Sequence, residues 1–156
     1  MAKVLLEDTR QHRDKHEAKH EWWAREGLAL VRSKIAFGDY CLPPEVAVDT
    51  KASMQEVAQN IGGSTAEHNR FRRELIKAQE AGCHLYILVE NDEGIRDLAG
   101  VRLWVNPRLI DSPKAITGER LARAMETMQE RYGVTFLFCA PERAAAMIHY
   151  LLERGI

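Results

Sequence analysis

Short apolar runs alternate along the chain with longer stretches of mixed charge, and the two kinds of segment carry different periods. Val4-Leu5-Leu6, His84–Glu90 and Val134–Cys139 are compact apolar runs bounded by polar residues or glycine, the pattern of buried strands. The first ends in Glu7-Asp8, which places acids at the C-terminal end of a strand. Leu28–Ile35 also reads as a strand, and Ala36–Leu42 and Val46–Lys51 flank Pro43-Pro44-Glu45 as the arms of a hairpin. Between them the spacing predicts a helix over His12–Glu26 stopped by Gly27, a short helix over Met54–Asn60, and a longer one over Ala66–Ala81 ended by Gly82. Thr117 is placed to cap a helix running to Arg131, with Gly133 behind it, and Pro141 opens a last helix at its favoured first position. Asn91–Ala115 has little periodicity and reads mostly as loop. Strands alternating with helices imply an α/β domain of three layers, α/β/α, around a mixed sheet.

Composition narrows this picture. The 156 residues suit one domain, 1–156, with no repeat or linker to divide it. With 46% hydrophobic and 29% charged residues the chain is globular in type, and no apolar run approaches the roughly 20 residues of a membrane helix. The N-terminal residues do not resemble a secretory signal. The three cysteines are odd in number and form no CxxC pair, which argues for a reducing, cytoplasmic setting and against a disulfide framework or zinc ribbon. Lys plus Arg is 22 against 23 for Asp plus Glu, so a wholesale polycation is excluded while a local basic face is not.

The hairpin carries the sharpest chemistry. If Leu42 pairs with Val46, the same register sets Asp39 opposite Asp49, and Lys51 shares their face because side chains alternate along a strand. Directly opposed residues have Cβ atoms about 4.5–5.5 Å apart, close enough for two carboxylates to repel. Such a pair persists when a cation lies between the acids or one acid keeps a proton. Carboxylates suit Mg²⁺ or Mn²⁺ rather than zinc. The alternative at this point is a solvated hairpin face with an ordinary Asp–Lys pair.

The residues Asp8-Thr9-Arg10-Gln11, Gly38-Asp39 and Asp49-Thr50-Lys51 resemble the nuclease domain of XPF-type structure-specific endonucleases, of the restriction-endonuclease-like PD-(D/E)xK fold. The likeness extends to Leu85–Glu90 and is nearest to short stand-alone versions from bacteria and phages, in which stretches such as Phe37-Gly38-Asp39-Tyr40 and Tyr132-Gly133-Val134 recur. It implies a metal site of Asp8, Asp39 and Asp49, a catalytic set of Asp39, Asp49 and Lys51, and Mg²⁺ or Mn²⁺ as cofactor. It also implies a DNA partner, branched or flapped, and admits a homodimer. Thr50 stands where the family has Arg, Gln11 and Gln55 stand where it has acids, and no helix-hairpin-helix tail follows. The two amides weaken the case for a second metal.

Arg70, Arg73 and Lys77 recur at helical spacing and form a basic stripe, which with Arg10 is the expected DNA-binding set. His12, His16 and His20 fall in a row on the first predicted helix and read as a polar row rather than a zinc site. Trp22 and Trp23 read as core caps, Gly62-Gly63-Ser64 as a flexible connector, and Trp104-Val105-Asn106-Pro107-Arg108 as either a binding loop or a packed turn. The expectation is a metal-dependent endonuclease of recombination or repair. Its alternatives are a catalytically silent DNA-binding subunit of the same fold and a plain α/β interaction protein.

Overall fold

The apolar runs become strands because their β-branched, aromatic and leucine side chains pack on a pleated surface covered on both faces. In the computed structural model, which describes residues 3–12, 15–33, 35, 38–42 and 46–154, they are β1 (Lys3–Asp8), β2 (Leu28–Ser33), β3 (Tyr40–Leu42), β4 (Val46–Lys51), β5 (His84–Glu90) and β6 (Thr135–Cys139). Their order across the sheet is β2-β1-β3-β4-β5-β6. β1 runs parallel to β2, β4 to β5 and β5 to β6, whereas β3 is antiparallel to both β1 and β4. The sheet is therefore mixed, as the alternation of elements predicts.

Helices α1 (Glu17–Arg25) and α6 (Ala144–Arg154) cover one face; α2 (Met54–Gly62), α3 (Thr65–Glu80) and α5 (Gly118–Tyr132) cover the other, with α4 (Leu98–Leu103) packed on α5. The strands feed a separate core on each side. Val48, Tyr86 and Leu88 pack with Trp23, Ile148 and Leu151. Ala47, Ile87 and Val89 pack with Val57, Leu75, Leu121 and Met125. This is the three-layer α/β/α arrangement. Among the described residues no helix is long and apolar enough to cross a membrane. Cys83 and Cys139 are buried.

Several elements differ from their sequence-based boundaries. α1 begins at Glu17, so His12 precedes the helix, His16 is its N-cap residue without a capping side-chain bond, and only His20 lies within it. The histidine row is thus broken, and His20 instead places Nε2 2.7 Å from the buried Glu7 carboxylate, which also accepts from Arg32 Nε at 3.0 Å. Asn91–Ala115 is mostly loop, as expected, but it also contains α4 and a short 3₁₀ turn at Pro107–Ile110. Asp97 starts α4 by accepting the Gly100 N–H at 2.8 Å, but a single turn and a half shows no legible period. Its position is fixed by tertiary approach, since a Cβ on Gly118 would lie 2.3 Å from the Trp104 carbonyl oxygen. Pro141 opens a 3₁₀ turn, Pro141–Arg143, that leads into α6.

Other single readings resolve in the same way. Trp23 is buried and donates Nε1–H to the Ala145 carbonyl at 3.0 Å, tying α1 to α6. Ser64 is a helix cap, its side chain and that of Glu67 forming a capping box at the start of α3. Trp104 and Asn106 are buried, and Asn106 closes its turn by donating to the Ile116 carbonyl and accepting from the Arg108 N–H. That segment is a packed turn.

Candidate active site

The hairpin register is the one read from the sequence: Leu42 pairs with Val46, Cys41 with Ala47 and Tyr40 with Val48. Its loop, Pro43-Pro44-Glu45, lies outside the described residues, as do Ala36 and Phe37. One step beyond Tyr40 the chain leaves the ladder, so the expected pairing of Asp39 directly opposite Asp49 does not form. Asp39 donates its N–H to the Val48 carbonyl at 2.8 Å, and its own carbonyl accepts the Asp8 N–H at 2.7 Å. The backbone of Asp39 therefore stitches β1 to β4. Gly38 makes this bend with φ +73°, a conformation that L side chains rarely adopt.

Strand alternation sorts the side chains. Tyr40, Val48 and Leu5 face the α1–α6 core, so Asp39, Asp49, Lys51 and Asp8 project toward the α2–α3 face. Asp49 is 4% and Lys51 8% exposed. Lys51 Nζ lies 2.8 Å from Asp49 Oδ2 in an ion pair and 4.9 Å from the centre of the Phe71 ring. Asp39 is held by donors: Gln11 Nε2 at 2.6 Å on one oxygen, and the Thr50 N–H and hydroxyl at 2.6 and 2.8 Å on the other. Asp8 is paired with the Arg10 guanidinium, which also donates to the Ile35 carbonyl at 3.2 Å.

The electrostatics follow from this crowding. Burial, and next the charge of Asp49, push the Asp39 carboxyl up to about 8, against the opposing help of Thr50 and Lys51. Burial works against the Lys51 ammonium, yet Asp49, Glu56 and Asp39 outweigh it and its pKa is raised. The cluster thus holds an acid that keeps its proton near neutral pH beside a lysine that keeps its charge.

Sequence reasoning missed one member, Glu74 on α3. Its Oε1 accepts the Gly38 N–H at 3.0 Å. Burial and the charge of Asp49 raise its pKa, opposed by that N–H, Lys51 and Arg10. At about 100° per residue, Glu74 lies between the core line Phe71-Leu75-Ala78 and the stripe Arg70-Arg73-Lys77. A carboxylate at such a boundary was the available signal. The stripe residues are exposed, and the same geometry sets them on the flank of α3 next to Glu74. Gln55 is exposed on α2.

The acids are hard oxygen donors suited to Mg²⁺ or Mn²⁺, and the raised Asp39 carboxyl marks a place where a proton or a cation is needed. Among the described residues, however, no three His, Cys, Asp or Glu side chains converge as a ready ligand set. Arg10, Lys51, Gln11 and Thr50 take up the carboxylates instead.

No family profile matches the chain, and no curated protein is significantly similar to it in sequence. Solved structures do match. XPF from Aeropyrum pernix superposes with a TM-score of 0.67 at 19% identity, over 96% of this chain and 63% of that one. The same protein in complex with DNA gives 0.65 at 18% identity, over 96% and 62%. This chain therefore spans less than two thirds of those structures, and what it shares with them is the fold.

Proposed function

We propose that this chain is a metal-dependent DNA endonuclease acting on branched or flapped DNA, with Asp39, Asp49 and Lys51 as its catalytic set. The observation that carries the reading is the gathering of Asp8, Asp39, Asp49, Glu74 and Lys51 on one sheet face, with the Asp39 carboxyl pushed up to about 8 by burial and Asp49. Asp8, Asp39 and Asp49 would hold the ion. Mg²⁺ or Mn²⁺, when bound, supplies charge to the phosphoryl oxygens and acidifies a water. Lys51, protonated through neutral pH, donates to that water or to a non-bridging phosphate oxygen rather than accepting a proton. Thr50 and Gln11 orient the Asp39 carboxylate. Arg10, Arg70, Arg73 and Lys77 carry the phosphate backbone past the acids.

A second reading is a DNA-binding subunit that does not cut. It is favoured by the way internal donors already occupy each carboxylate, and by Gln11 and Gln55 standing in place of family acids. Incubating the purified protein with splayed-arm, flap and four-way DNA, with and without Mn²⁺, separates the two. The nuclease reading expects ion-dependent nicking that Asp49→Asn abolishes. Binding without cutting by the wild type in either ion refutes it in favour of the silent subunit.

A further inference from the structure

A cleft of about 390 Å³ opens between α3 and α5, on the flank of α3 away from the acids. It is lined by His68 and Arg72 from α3 and by Arg120, Arg123, Arg131 and Tyr132 from α5. No acid is among the described residues that line it. The walls are fixed to one another: Arg72 Nε donates to the Tyr132 hydroxyl at 2.9 Å, and Gln79 Nε2 donates to the Arg131 carbonyl at 3.1 Å. Arg123 pairs with Glu119 at 3.5 Å, the two side chains being 75% and 73% exposed. Four guanidinium groups around one cleft repel one another, and their shared field attracts an anion.

The shape selects the anion. Arg120 and Arg131 stand about 16 Å apart along α5 at 1.5 Å rise per residue, too far for one phosphate or one carboxylate to span. A row of charge on that scale matches a linear polyanion. The cleft lies between two packed helices, whose axes are typically 8–10 Å apart, so it is narrow for a duplex. Tyr132, half-buried against the core and tethered through its hydroxyl, lines one end, and aromatic side chains with flanking arginines are the ordinary means of holding unpaired bases. The exposed arc of α3 carries Arg73, Arg70 and Lys77 from this flank round to the acidic cluster.

We infer that the α3–α5 cleft is a binding site for a single strand of nucleic acid, receiving an unpaired arm that continues from the acidic face around α3. This deepens the nuclease reading and rests on it for the origin of the strand, though binding in the cleft needs no cutting. The test is fluorescence anisotropy with a labelled oligothymidylate and with a duplex of equal length, in EDTA across a salt series. Arg120, Arg123 and Arg131 are exposed, so their combined alanine variant should fold as the wild type does, which circular dichroism checks. It should bind the single strand at least tenfold more weakly, and its log K against log salt slope should fall by about 2, near 0.7 per lost single-strand phosphate contact. Tyr132→Leu should weaken the single strand about fivefold or more and the duplex less. Unchanged affinity and slope in the triple variant would overturn the cleft assignment. So would an equal loss on duplex and single strand in Tyr132→Leu. If wild type cuts branched DNA but the triple variant binds normally, the cleft falls and the nuclease stands. If wild type never cuts yet the triple variant loses the single strand, the cleft stands without the nuclease.

Discussion

Replacing Asp49 with Asn sets two effects against each other, and pH decides which wins. The substitution removes the counter-ion of Lys51, which is 8% exposed and pairs with Asp49 Oδ2 at 2.8 Å. Breaking a buried pair from one side costs about 3–5 kcal/mol; Glu56 and Asp39 still act on Lys51, which argues for the lower end, about 3. The substitution also removes a like charge facing Asp39. At a separation of about 5 Å two carboxylates would repel by about 3 kcal/mol at an effective dielectric constant near 20, but only when both are ionised. The Asp39 carboxyl is raised to about 8 when folded, against about 3.9 when unfolded. The native state therefore binds the extra proton between these values, and wild-type stability falls as pH rises from about 4 to about 8. At pH 6 Asp39 is protonated, no repulsion exists to relieve, and Asp49→Asn should be less stable than wild type by about 3 kcal/mol. Near pH 9 the relieved repulsion offsets the lost pair and the two proteins should converge. The Lys51 ammonium, raised in pKa, stays charged throughout this window and does not alter the sign. Urea unfolding of both proteins at intervals from pH 6 to 9, without divalent ions, measures the gap. A gap independent of pH, or a variant more stable at pH 6, would refute the account of Asp39.

Three further outcomes are expected. Glu74→Ala should leave the Gly38 N–H without its acceptor and cost about 1–3 kcal/mol in urea unfolding, whereas Glu74→Gln keeps a carbonyl oxygen there and should recover most of the loss. Gly118→Ala forces a Cβ to within 2.3 Å of a backbone oxygen on Trp104, so α4 and α5 must separate; a loss of about 1–3 kcal/mol or more should appear as a lowered thermal midpoint. Gln11→Glu exchanges the amide that donates to Asp39 at 2.6 Å for a third carboxylate; the variant should unfold at lower urea without divalent ions and gain more stability from added Mn²⁺ than wild type does. Equal Mn²⁺ stabilisation of the two would show that position 11 does not face an ion site.

Glu74 shows why one part of the site could not be read from the chain. In the sequence it is one charged residue in a helix full of them, and its distinction is a 3.0 Å contact with Gly38, far away along the chain. Likewise Asp8 becomes a neighbour of Asp39 only because β3 inserts antiparallel beside β1, so that the Asp39 carbonyl takes the Asp8 N–H. The short helix α4 escaped for a related reason: its place is set by packing on α5 rather than by a repeat of its own.

What the sequence determined by itself is whatever depends on local period. Alternation along β4 put Asp49 and Lys51 on one face, the pairing of Leu42 with Val46 followed from the hairpin pattern, and the strand and helix alternation implied three layers, because each of these is a relation between residues a few positions apart. Tertiary structure decided the rest. It turned the side chains at the acidic face toward Gln11, Thr50, Arg10 and Lys51, and it brought α3 and α5 together with their arginines facing one cleft. Those relations join residues tens of positions apart, and their energies depend on distance and on exclusion of water, quantities that exist only once the sheet is covered on both faces.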